Sequence, residues 1–152
     1  MSSEFDRDLE AVRRECGRDR DTLLSVVGAL RNADFDRARR GGWTVQRVLE
    51  HVIQSEWLYA RMLNHLRGQQ TARAPMGAGP PASVANSRRD LAASRKALLA
   101  AIDGVDEETF YQLRRVGHEE YSVLSVLENV ALHDREHSAQ VDSIVGSVDT
   151  AP

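Results

Sequence analysis

Apolar residues recur at steps of three, four and seven along most of the chain, and this spacing predicts four helices. The first covers residues 3–31, with Phe5, Leu9, Val12, Cys16, Leu23, Val27 and Leu30 on one face. Gly17 and the charged run RDRD behind it weaken its middle and mark where it can break. The second follows GGW, is capped by Thr44 and runs to about Arg67, where Gly68 ends it. The third follows GPPAS with Ser83 as its cap, carries Leu91, Leu98 and Ile102 on one face, and stops near Gly104. A short helical turn is expected in DEETFYQL. The fourth starts at the cap Ser122 and continues to about Val145, and SVDTAP reads as a frayed tail.

Composition narrows the fold class to all-α. Hydrophobic residues make up 41% and charged residues 28%, with only 5% aromatic, and Val, Ile and Thr never alternate as they do in strands. At 152 residues the chain is expected to form one domain, 1–152, with a real core. Residues 68–83 form the one long linker of loop composition, and it is long enough to run the length of a bundle. A weak internal repeat relates WTVQRVLEHV to YSVLSVLENV, with five identities in ten positions.

Charge excludes some partners. The net charge is −3, and the basic residues are dispersed among acidic ones, so no face suits a run of phosphates and nucleic acid is not an expected partner. No stretch approaches the ~20 apolar residues that cross a bilayer, so no membrane partner is expected either. The N-terminus MSSEFDRDLE lacks a secretory apolar region, and the single Cys16 cannot pair internally. A cytoplasmic location is the expectation.

The apolar pattern is interrupted by histidine. In the fourth helix the seam Val126, Val130, 133, 137, Val141, Ile144 places His133 and His137 where Leu or Val belongs, and His51 interrupts the stripe Val48, 51, Ser55, Leu58, Met62 of the second. One such imidazole is ordinarily a hydrogen-bonded core residue. Three in one core each need a donor and an acceptor satisfied away from water, at roughly 1–3 kcal/mol per failure, and one divalent ion satisfies three acceptors together.

Residues i and i+4 lie ~6 Å apart on one helix face, so HDREH is a two-ligand clip. Its second residue is Asp134, so the glutamate base of a zinc-peptidase H-E-x-x-H is absent. His51 falls level with His137 only if the second and fourth helices run antiparallel, which requires one long crossover. The linker 68–83 supplies it; residues 106–121 are the alternative. Three neutral ligands without thiolate describe a site that keeps a position for water or substrate. Zinc is the default ion, with nickel, cobalt, manganese or iron as alternatives.

Other residues carry less. His65 and His118 read as solvated, Cys16 as core, and Trp43 as a staple against the core. Gln54, Ser55, Tyr59, Tyr121 and Gln140 fall near the histidine faces, and Arg114 and Arg115 precede the fourth helix as a solvated pair or an anion hold.

GWTVQRVLEHV and YSVLSVLENVALHDREHSAQV, in this order and separation, resemble the DinB-like superfamily of small four-helix metalloenzymes, over about residues 19–145. The resemblance implies an up-down-down-up bundle with the crossover between helices 2 and 3, a divalent metal on His51, His133 and His137, and a homodimer. It also implies enzymes that use thiols such as mycothiol or bacillithiol to conjugate electrophiles or to isomerise maleylpyruvate. The leading expectation is a metal-dependent thiol S-transferase acting on a small-molecule thiol and an electrophile. A metal-dependent hydrolase and a non-catalytic, metal-stabilised dimeric stress-response bundle stand as alternatives.

Overall fold

A computed structural model describes residues 1–71, 73–74 and 79–147; the tail expected to fray extends beyond them, and the linker 68–83 is described only in part. Helix α1 (Glu4–Gly28) opens on a reciprocal cap in which Ser3 Oγ accepts from the Asp6 N–H and Asp6 returns a carboxylate to the Ser3 N–H. It passes through Gly17 without a break. Glycine costs a helix only ~1 kcal/mol relative to alanine, and Cys16, Asp19, Arg20 and Leu23 are all buried around it. The charged run that suggested a break turns two of its residues inward.

A 3-10 turn over Asn32–Asp36 buries Phe35 and Asp34, whose carboxylate accepts the Arg31 N–H. Helix α2 (Val45–Leu66) is capped by Thr44, α3 (Val84–Ile102) by Ser83, and a short α4 (Glu107–Tyr111) by Asp106. Helix α5 (Val123–Gly146) is capped by Ser122, whose hydroxyl and that of Ser125 each accept the other's N–H. Between α4 and α5 lies a hairpin that the pattern did not predict: β1 (Arg114–Val116) pairs antiparallel with β2 (Glu119–Tyr121) around Gly117 at φ 67°. Three-residue strands are too short to show an alternating pattern, and only the glycine marks the turn.

α1 packs along α5, α2 lies against both α3 and α5, and α1 meets α3 only sparsely. The apolar core is split in two. One cluster joins the beginning of α1 (Val12, Cys16) and of α5 (Val123 to Ala131) to the ends of α2 (Ala60 to Leu66) and α3 (Leu98 to Ile102). The other joins the end of α1 (Leu23, Val27) and of α5 (Val141, Ile144) to the beginning of α2 (Val45 to Val52) and to Leu91 of α3. Buried Arg20, Glu56, Ser94 and Asp134 occupy the level between them.

The two halves of the weak repeat bury the same face: Val45, Val48, Leu49 and Val52 match Val123, Val126, Leu127 and Val130, all at most 2% exposed. Among the described residues no helix is long and apolar enough to cross a membrane.

Candidate metal centre

Midway along α5 the buried line departs from the expected seam. It runs through Asp134 and Ser138, and His133 and His137 stand one residue earlier, half-buried at the edge. α2 shows the same offset: Val52, Glu56 and Ala60 are buried, His51 and Ser55 are half-buried, and Leu58 is 48% exposed, outside the core stripe predicted for it. The three histidines therefore meet at the rim of the α2–α5 interface, within reach of solvent.

Their rings converge. His51 Nε2 lies 3.1 Å from His133 Nε2, and His137 Nε2 lies 3.0 Å from the same atom. Ring centroids are 4.3–4.9 Å apart. His137 Nδ1 lies 2.7 Å from Gln140 Oε1; an amide oxygen only accepts, so Nδ1 carries a proton, and in the neutral ring the lone pair is on Nε2.

Neutral rings satisfy this arrangement only weakly. With His137 Nε2 an acceptor, the one His133 Nε2–H must be shared between the lone pairs of His137 and His51. A single sp2 ring nitrogen is donor or acceptor, never both. A cation shared by three lone pairs replaces that single divided bond with three direct ones. Tetrahedral ligation at Zn–N distances of about 2.0–2.1 Å sets donor atoms about 3.3 Å apart, close to the spacing found.

Electrostatics favours the neutral form of two of the rings, His133 and His51. Burial first, then His137 and His51, push the His133 pKa down to about 4. Burial, then His137 and Arg47, lowers that of His51. Around the centre Trp43 sets its edge against His51 at 5.2 Å, and Tyr59 approaches His133 at 5.9 Å. Trp43 is 42% exposed and lies under the Arg47 guanidinium, so it walls the histidine centre and is no staple against the core.

The sequence model of the DinB superfamily matches residues 15–141, spanning all three histidines. The chain belongs to the DinB superfamily. No curated protein and no solved structure matches it.

In this DinB-superfamily chain only some of the other candidates reach the centre. Gln140 and Tyr59 do. Gln54 lines a groove between α2 and α3 with Glu50, Trp57 and Arg61, and the Tyr121 hydroxyl donates to Glu119. His65 and His118 are exposed, as are Arg114 and Arg115. Cys16 is buried, with its thiol donating to the Leu127 carbonyl, away from the histidines.

Residues that pattern reading missed lie beneath the site. Asp134, inside HDREH, turns away from the rings and pairs with Arg20 and Arg95, which also hold Glu56. A charge on a helix reads as solvated until its partners on other helices are known, so neither period nor motif could have found this set.

Proposed function

We propose that this chain is a divalent-metal-binding enzyme in which His51, His133 and His137 hold one ion, zinc being the default. Convergence of three ring nitrogens on one point is the observation that carries the reading. The two core clusters support an up-down-down-up bundle, with the long connection between α2 and α3 as its crossover.

The reaction we infer is transfer of a low-molecular-weight thiol, of mycothiol or bacillithiol type, to an electrophile. A divalent ion at the site supplies Lewis acidity that makes a coordinated thiol a stronger acid. The rim position of the histidines lets a small thiol approach from solvent. Trp43 and Tyr59 flank them with aromatic rings. Burial raises the Tyr59 pKa, so its hydroxyl stays protonated and can donate a hydrogen bond to the electrophile.

Hydrolysis is the weaker reading. Asp134, the carboxylate that directly follows His133, is held by two arginines and is not free to act as a base. Sedimentation tests the homodimer we expect. A free, buried Cys16 accords with a reducing cytoplasmic setting.

The test is direct. Purified protein should carry about one divalent ion per chain, with occupancy abolished in His133→Ala and His137→Ala and reduced in His51→Ala. His65→Ala and His118→Ala should retain it. Consumption of mycothiol or bacillithiol with a generic electrophile should require the metal; equal rates with stripped protein would overturn the transfer reading.

A further inference from the structure

Each of the four long helices contributes one charged side chain to a buried ring. Arg20 of α1 donates from Nε to Asp134 Oδ2 at 2.9 Å and from Nη2 to Glu56 Oε2 at 2.9 Å and Asp134 Oδ1 at 3.2 Å. Arg95 of α3 repeats the bridge from the other side, Nε to Glu56 Oε2 and Nη2 to Asp134 Oδ2, both at 2.9 Å. Further bonds fix the ring to its surroundings: Arg20 donates to the Leu91 carbonyl, Arg95 to that of Cys16, and Ser94 Oγ to Glu56 Oε1. The four side chains are 3–13% exposed, and among the described residues no buried side-chain nitrogen or oxygen lacks a partner.

Such a ring adds little stability over apolar residues of the same volume, because desolvating four charges offsets most of their attraction. It does add direction. Apolar contacts accept a sliding neighbour; two arginine forks that must each touch both carboxylates do not. Those carboxylates stand on the two helices that carry the histidines. Glu56 follows His51 by five residues on α2, and Asp134 follows His133 directly on α5. A slip of α5 by one residue, about 1.5 Å along its axis and 100° around it, would break both bridges and swing His133 and His137 away from His51.

We propose that the ring of Arg20, Glu56, Arg95 and Asp134 is the positioning device of the histidine centre, locking α2 and α5 in the one register that brings the three imidazoles together. Its metal arm rests on the reading of the histidines as a metal centre, while its claim about ring convergence does not.

Two variants test it: Arg95→Lys, which keeps the charge but has no fork to span both acids, and the fourfold exchange Arg20→Met, Glu56→Leu, Arg95→Met, Asp134→Leu. Circular dichroism monitors folding, nuclear Overhauser contacts between the His51 and His133 rings are read in metal-free protein, and Co2+ affinity and absorption are read by titration. The expected result is native helicity in both, loss of the ring contacts, and about 10–100-fold weaker Co2+ binding with an altered spectrum. A folded variant that keeps wild-type ring contacts and Co2+ affinity would overturn the proposal. If the fourfold variant does not fold, Arg95→Lys decides alone. Wild-type protein with ring contacts but no Co2+ binding would refute the metal reading and leave the positioning role standing on the contacts.

Discussion

His51 and His133 bring their Nε2 atoms to 3.1 Å across the α2–α5 interface although 82 residues separate them in the chain. Two rings this close tolerate one proton between them and no second charge.

Acid should therefore unfold the metal-free protein through these rings. The folded-state pKa of His133 lies at about 4 and that of His51 is also lowered, so the unfolded chain binds protons that the folded one refuses. Their contribution to stability is complete above the ordinary histidine value of 6.5 and is lost as pH falls from there toward about 4. Urea unfolding across this window should show a declining midpoint, and His133→Gln should flatten the decline.

Gln140 fixes the tautomer of His137. Gln140→Leu should leave helicity unchanged and weaken metal binding about 10–100-fold, as loss of a hydrogen bond behind a ligand generally does. Competition with a chromogenic chelator measures it.

Removing one member of the charged ring differs from replacing the whole. Glu56→Ala leaves two arginines facing a single carboxylate in a buried layer and should cost about 3–5 kcal/mol in urea unfolding. Glu10→Ala, which breaks the exposed Arg14–Glu10 pair, should leave the midpoint where it is.

Phe110 of α4 is fully buried and meets the ring of Phe5 edge-on at 5.3 Å. Phe110→Ala should cost about 3–5 kcal/mol of stability while metal stoichiometry stays the same. The two readouts separate packing from the centre.

Burial pushes the Cys16 thiol up to about 11. Native protein should resist alkylation at mildly alkaline pH and react only once denaturant exposes the thiol, which mass spectrometry after timed quenching would show.

Helices and caps were readable because their signals are local: Thr44, Ser83 and Ser122 each place an oxygen within reach of an N–H three residues on. The histidine trio was readable because imidazole in an apolar stripe demands an explanation. Its exposure was not, since moving the buried line from His133 to Asp134 depends on arginines from α1 and α3. The 3-10 turn around Asp34 and the β1–β2 hairpin escaped notice for a similar reason. Asp34 reads as a surface acid until Arg31 and Arg37 are seen around it, and Arg114 to Tyr121 reads as a polar loop.

The divided core has a consequence for how the sequence can change. The two apolar clusters share no buried residue, so truncations such as Leu63→Ala in one and Val141→Ala in the other have no common neighbour through which to compensate or aggravate each other, and their costs should sum. Each end of the molecule can accumulate exchanges at its own pace. The belt between them has no such latitude, because a new residue there must suit partners on two or three other helices at the same time.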